Sequence, residues 1–146
     1  MKNILIISLL LAAIACAAPP KRIAAIVTEY RHNSHADVIV GRLLQTYTLD
    51  DKGKQPNLKL VSLYTDQVPK NDTSRKWAAK YGVPIYETVE ETLTLGTGKL
   101  AVDGVLLVAE HGQYPKNATG NTIFPKRRLF NEVQKVFRKT GQVAPM

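Results

Sequence analysis

The chain has 146 residues, of which 45% are hydrophobic and 22% charged, with 9 Gly and 8 Pro. This composition excludes a disordered or collagen-like chain and predicts one globular domain. The 20 Lys and Arg outnumber the 12 Asp and Glu and give a net charge of +8, which favours either an anionic partner or simply a soluble surface.

The first 18 residues have the order of a secretory signal peptide. Lys2 supplies a positive charge, residues 4–14 are almost entirely apolar, and small residues surround Cys16. Residues 15–17 fit the cleavage pattern of a soluble product, whereas residues 13–16 resemble a bacterial lipobox with a lipid on Cys16. We therefore expect a periplasmic or extracellular protein whose only membrane contact would be that lipid, because the apolar run is too short to span a bilayer.

Cys16 is the only cysteine in the sequence. The domain predicted over residues 19–146 therefore contains no disulfide, no cysteine zinc site and no cysteine nucleophile.

The first half of this domain alternates apolar runs with helical patterns. Residues 23–27 predict a first strand and residues 58–64 a second. Between them, a capping box over residues 34–37 predicts the start of a helix whose apolar face reaches Tyr47.

A second helix and a short extended segment follow. Asn71 or Asp72 is predicted to cap the helix, and Gly82 to end it in a left-handed conformation. Residues 83–86 read as an extended segment, and Thr88 opens a brief acidic helix through another capping box.

The last part of the chain begins with an apolar strand over residues 102–109 and a long polar loop over residues 109–124. A helix is predicted from Pro125 to Gly141. Its apolar stripe is formed by Leu129, Phe130, Val133, Val136 and Phe137. Residues 142–145 would begin a fifth strand.

Apolar strands separated by helices predict an α/β fold with a parallel sheet covered on both faces. The expected architecture is a Rossmann-like, doubly wound sheet that is truncated after the start of the fifth strand.

Three segments, residues 58–66, 78–93 and 102–108, resemble the amino-terminal domain of the Gfo/Idh/MocA oxidoreductases, the family of glucose-fructose oxidoreductase and inositol dehydrogenase. The most specific part is A-x-K-Y-G-V-P-x-Y at residues 78–86, and the resemblance covers residues 22–145. It implies a Rossmann fold that binds NAD or NADP. In that family, a catalytic lysine after the fifth strand and a second domain, which binds sugar-like or polyol substrates, would follow these residues, so the chain is not expected to be catalytic alone.

The resemblance also implies where the cofactor would lie. Asp66 would bind the ribose hydroxyls. The glycine motif at residues 28–33 reads T-E-Y-R-H-N, so Thr28, Tyr30 and Asn33 replace the three glycines that admit the pyrophosphate. Tyr30 would obstruct that approach, whereas Asn33 can adopt a left-handed conformation. Arg31 would pair with an anionic group at the helix amino terminus.

All three histidines lie in two predicted loops. His32 and His35 follow the first strand, and His111 follows the fourth predicted strand. In a doubly wound sheet these loops meet at the carboxyl edge, where ligands bind. The imidazoles and the neighbouring carboxylates would suit a divalent metal or a polar ligand, or they would simply cap helix and strand ends; these carboxylates are Glu29, Asp37 and Glu110.

The last predicted helix carries +5 of the net charge of +8, from six basic residues and Glu132. Phe130 and Phe137 are expected in the core rather than between the charges, which favours a solvated face and no nucleic-acid partner.

Two functions remain open from the sequence. One is an exported, divergent nucleotide-binding domain of the oxidoreductase family. The alternative is a module that binds a metal or an anionic or sugar-like ligand at the loops after the first and fourth predicted strands. The catalytic residues and the oligomeric state stay undetermined.

Overall fold

The computed structural model describes residues 18–146. Seven elements follow in chain order: β1 (Lys21–Val27), α1 (His35–Leu44), β2 (Leu58–Thr65), α2 (Ser74–Tyr81), α3 (Val89–Thr94), β3 (Gly104–Val108) and α4 (Lys126–Thr140). The predicted signal peptide, apart from its last residue, and the lipobox lie outside the described residues. Within the described part, no helix has the length and apolar character needed to cross a membrane.

The three strands form one parallel sheet in the order β2-β1-β3. In the register, Lys21 lies opposite Leu58, and Ile23 lies opposite Gly104. This arrangement confirms the predicted α/β class and the parallel sheet, and it is compatible with a Rossmann-like fold.

Both faces of the sheet are covered. Successive side chains of β1 point to opposite faces, so Ala24 and Ile26 join one core while Ala25 and Val27 join the other. Helices α3 and α4 pack in the first core, and α1 and α2 pack in the second. The apolar run of β1 is therefore buried on both sides, as expected for a central parallel strand.

The predicted extended segment 83–86 and the predicted start of a fifth strand each make only short backbone contacts with the sheet. In the segment 83–86, the carbonyl of Pro84 accepts from Leu63 N at 3.0 Å, and Tyr86 N donates back to Leu63. At the other side of the sheet, the carbonyl of Pro145 accepts from Val105 N at 2.9 Å. Proline has no N–H to continue a ladder, so Pro84 interrupts the pairing of the segment 83–86.

The predicted helix ends are largely confirmed. Ser34 accepts a bond from Asp37 N at 3.2 Å at the start of α1, and Thr88 caps α3 in the same way. Gly82 and Gly141 end α2 and α4 with φ values of 66° and 68°, which glycine adopts without steric cost.

Two local predictions were wrong, and a third was confirmed in part. Helix α1 ends at Leu44, so Tyr47 lies beyond it and is exposed. For α2, the residue before the helix is Thr73, which makes no side-chain cap bond, but the predicted Asp72 does accept a bond from Arg75 N in the first turn, at 3.5 Å. Phe130 is 43% exposed, because it lies one residue, or about 100°, from the buried stripe of α4 that begins at Leu129.

Candidate ligand site

The loops after β1 and β3 lie side by side at the carboxyl edge of the sheet. Thr28 N donates to the carbonyl of Val108 at 3.1 Å, and Thr28 Oγ1 accepts from His111 N at 3.3 Å. From the central strand β1 the chain passes to β2 on one side of the sheet, and it later returns to β3 on the other side. This switch in direction opens a crevice of the kind in which α/β proteins bind ligands.

Six polar side chains form a continuous row along this edge, which we call the edge row: Glu29, Arg31, His111, His35, Glu110 and Lys126. In its first half, Arg31 joins two partners. Its Nε lies 3.4 Å from Glu29 Oε2, and its Nη2 lies 3.4 Å from His111 Nδ1. The residue predicted to pair with an anion therefore already has a carboxylate beside it.

The second half of the edge row is centred on Glu110. The imidazole rings of His111 and His35 lie 4.7 Å apart, and His35 Nδ1 lies 2.8 Å from Glu110 Oε2. The other oxygen of Glu110 accepts from Lys126 Nζ at 2.8 Å. Lys126 is the first residue of α4, so this helix is tied directly to the end of β3.

The partners of the two imidazoles determine which ring nitrogens carry protons. A guanidinium only donates, so His111 Nδ1 accepts from Arg31 and the proton of the neutral ring lies on Nε2. That atom is buried and has no hydrogen-bond partner among the described residues. Conversely, His35 Nδ1 donates to Glu110, and when the ring is neutral its Nε2 is left as an acceptor.

A cleft of about 260 Å³ lies beside the second half of the edge row. Its polar wall is formed by His35, Glu110 and Lys126, and its apolar wall by Ile39 and the end of β3. The combination of an apolar floor with a few convergent polar groups is typical of small-molecule sites.

The residues predicted to admit a pyrophosphate are engaged within the domain. Asn33 is left-handed, with φ of 57°, and its N–H donates to Asp37 Oδ2 at 3.0 Å. The N–H of Arg31 lies 3.3 Å from Ser34 Oγ. These side chains place hydrogen-bond acceptors, one of them a carboxylate, where a dinucleotide fold leaves the helix amino terminus open.

Tyr30, at the second glycine position, does not project toward solvent. Its side chain is fully buried in the core between the sheet and α1, and its hydroxyl has no hydrogen-bond partner among the described residues. Burial, followed by the charge of Asp37 and by Tyr81, raises the pKa of this phenol. Tyr30 therefore packs in the core, at a position where the glycine motif of dinucleotide-binding domains has no side chain.

Asp66, predicted to bind ribose, accepts hydrogen bonds from three side chains of the domain. They are the hydroxyls of Tyr64 at 2.8 Å and Tyr114 at 2.7 Å, and Arg128 Nη2 at 2.6 Å. Burial alone would raise the pKa of Asp66, but these three donors outweigh it and hold the pKa below its ordinary value.

The loop after β3 crosses the end of β1 and is fastened to the end of β2. Gln67 Nε2 donates to the carbonyl of Gln113 at 2.9 Å, and Gln113 N donates to Gln67 Oε1 at 2.9 Å. Together with the bond from Tyr114 to Asp66, these contacts form what we call the latch. The latch covers the half of the carboxyl edge that a dinucleotide would need for its adenosine.

The three histidines predicted as metal ligands do not form one centre. His35 and His111 are neighbours, but His32 is 84% exposed and lies 3.6 Å from Asp37. Among residues 18–146, no group of three or more His, Cys, Asp or Glu side chains is arranged to hold a metal ion.

Several site residues escaped the sequence analysis. Lys126 was assigned to a solvated helix face, although its position at the first turn after the β3 loop brings it to the carboxyl edge. No motif or spacing in the sequence indicated a role for Gln67, Gln113 or Tyr114. The basic face of α4 is also more engaged than predicted, since Arg128 pairs with Asp66 and Lys126, as above, with Glu110.

Comparison of the chain with protein-family models, with curated proteins and with solved structures found no match. The resemblance to the oxidoreductase family therefore stays a prediction from the sequence.

The geometry of His111 predicts a pH dependence of stability. Burial, then the charges of Arg31 and His35, lower the pKa of His111 from its ordinary value of 6.5. Between that value and the lower one in the folded state, the unfolded chain binds more protons, so the free energy of unfolding falls as pH drops from 6.5. Urea unfolding between pH 5 and 7.5 should show this decrease. The decrease should be smaller in His111→Gln, and an unchanged pH profile in that variant would contradict the assignment.

Proposed function

We propose that this chain is an exported, Rossmann-like domain, of the oxidoreductase-like type, that binds a small, hydroxyl-rich molecule such as a sugar or a cyclic polyol. The observation that carries the proposal is the edge row beside its cleft at the switch point of the sheet. His35 and Glu110 present acceptors there, and Lys126 presents a donor. Hydroxyl groups are the ligands that use donors and acceptors together.

The balance of charge in the edge row favours a neutral ligand over an anion. Arg31 is paired with Glu29, and Lys126 is paired with Glu110. The two carboxylates and the two cationic side chains of the row thus cancel in pairs. An anion would meet a carboxylate in each half of the row, Glu29 in the first and Glu110 in the second, whereas a neutral polyol exchanges hydrogen bonds with both kinds of group.

A dinucleotide is the second candidate, and one specific observation favours it. The segment 83–86, the three strands and the segment 142–145 lie side by side in an order that matches one half of a Rossmann fold with its crevice between β1 and β3. Against it stand the latch over the adenosine half of the edge and the carboxylate of Asp37 at the start of α1. The residues present do not fit a bound pyrophosphate.

The proposal is tested by calorimetric titration of the full-length chain with myo-inositol and with D-glucose. We expect saturable binding of at least one of them, and about a tenfold loss of affinity in Glu110→Gln, because a hydrogen bond to a charged group contributes about 1.5–3 kcal/mol. Glu87→Gln is the matched control, since Glu87 is an exposed glutamate outside the cleft. Absence of binding at millimolar concentration, or equal affinities in the two variants, would overturn the proposal.

The dinucleotide is tested separately by thermal unfolding with NAD and NADP. A ligand that binds only the folded state raises the Tm in a concentration-dependent way. We expect no shift at millimolar cofactor. A saturable rise in Tm would establish the second candidate in place of the first.

A further inference from the structure

Glu29 is a charged side chain that the fold buries without fully satisfying it. The residue is 8% exposed, and a carboxylate buried to this degree is normally paired and hydrogen-bonded. Its Oε2 lies 3.4 Å from Arg31 Nε, which is long for a charge-assisted hydrogen bond, usually about 2.7–2.9 Å. Its other oxygen, Oε1, accepts no hydrogen bond from the described residues.

This carboxylate lines a second cleft, of about 200 Å³, which lies on the β2 side of the edge row. The other walls are Gln67, Val68, Pro69 and Gln113. The side-chain amide of Gln67 is occupied on both its polar atoms by the backbone of Gln113, and Val68 and Pro69 have no polar side-chain atom. The only side-chain hydrogen bond that Glu29 makes among the described residues is the long one from Arg31, so none of these four residues donates to its carboxylate.

We infer that Glu29 is the hydrogen-bond acceptor of a second binding subsite, under the latch, that takes a ligand hydroxyl. The inference rests on the proposed function, because the ligand class is the same and Arg31 links the two clefts through Glu29 and His111. The subsite selects a neutral hydroxyl rather than an amine, because the Arg31 guanidinium already balances the charge of the Glu29 carboxylate. A hydroxyl at Oε1 supplies the donor that the domain itself does not.

The latch forms one wall of this subsite, because Gln67 and Gln113 both line the cleft. Gln113 is held over the cleft by two hydrogen bonds to Gln67, and the next residue, Tyr114, is held by Asp66. A ligand hydroxyl therefore enters beneath a fixed piece of backbone, and pre-organised walls of this kind reduce the entropy lost on binding.

The two subsites are separated by residue-resolved NMR titration of the full-length chain with myo-inositol. We expect shifts of the backbone amides of Gln67 and Gln113 as well as of Glu110. Glu29→Gln, which keeps the shape but weakens the acceptor, should lower the affinity reported by Gln67 and Gln113 about tenfold. Glu29→Leu, which has no acceptor, should abolish their shifts while Glu110 still responds.

Any other result contradicts the inference. Which amides shift then shows whether the second subsite alone or the proposed function as well is wrong. Shifts at Glu110 alone in the wild-type protein, or shifts at Gln67 and Gln113 that persist in Glu29→Leu, would overturn the second subsite and leave the first in place. Absence of shifts at both places would overturn both. Glu87→Gln is again the matched control, and its titration should be indistinguishable from that of the wild-type protein.

Discussion

Replacing Asp66 with alanine should lower the free energy of unfolding by about 2–3 kcal/mol. The carboxylate is the common acceptor of Tyr64, Tyr114 and Arg128, and its side chain is only 11% exposed. Its removal leaves two hydroxyls and a guanidinium without their shared partner, and each partly buried donor left unmet costs about 1 kcal/mol or more. Urea denaturation at pH 7 measures the loss.

The matched control is Asp51→Ala. Asp51 accepts from the hydroxyl of Tyr81 and from Lys80, so its donors are of the same chemical types, but its side chain is 49% exposed. Exposed pairs contribute at most about 1 kcal/mol. Equal losses of unfolding free energy in the two variants would show that the contribution of Asp66 to stability does not depend on its burial.

The same variant should release the latch. Tyr114 is fastened to the end of β2 through Asp66, and the exposed Lys116 two residues further on is a site for trypsin. We expect faster cleavage after Lys116 in Asp66→Ala than in Asp51→Ala. The wild-type latch should also weaken in acid, because the pKa of Asp66 is lowered from 3.8. The stability that it contributes is present above pH 3.8 and is lost as pH falls through the lower pKa of the folded state.

The parts of the fold that were predictable are those with a local cause. The five-residue apolar run that ends at Val27 predicts a strand buried on both faces, and the hydroxyl of Ser34 predicts the start of α1, because each depends on neighbours within a few residues. The segment 83–86 looks like a strand for the same reason. Its pairing ends after a single bridge, Leu63 to Ile85, because the proline at 84 cannot donate to a ladder.

The site was predictable only in outline. The rule that loops after parallel strands share one edge places His35 near His111, and the rings are indeed neighbours. The latch joins residues 46 positions apart, Gln67 and Gln113, and no spacing in the sequence signals such a pair. The sequence also does not show which charged side chains pair. Only the distances show that Arg31 pairs with Glu29 and Lys126 with Glu110.

Replacing Tyr30 with glycine, the residue that a dinucleotide motif would have at this position, should cost about 3–5 kcal/mol of unfolding free energy and should not create binding of NAD. The cost is that of a large, fully buried aromatic side chain removed from a packed core. Cofactor binding is not expected, because the latch and the carboxylate of Asp37 remain in place. Urea denaturation and thermal unfolding with NAD measure the two effects.

Two further variants distinguish a packing role of Tyr30 from a polar one. Tyr30→Phe removes only the hydroxyl, which has no partner among the described residues, so its stability should equal or slightly exceed that of the wild-type protein. Tyr47→Ala removes a 54% exposed tyrosine and should change the unfolding free energy by less than about 1 kcal/mol. A large loss of unfolding free energy in Tyr30→Phe would contradict this, because it would mean that the hydroxyl makes a stabilising hydrogen bond. A small loss in Tyr30→Gly combined with a Tm raised by NAD would instead mean that removing this one side chain exposes a cofactor site.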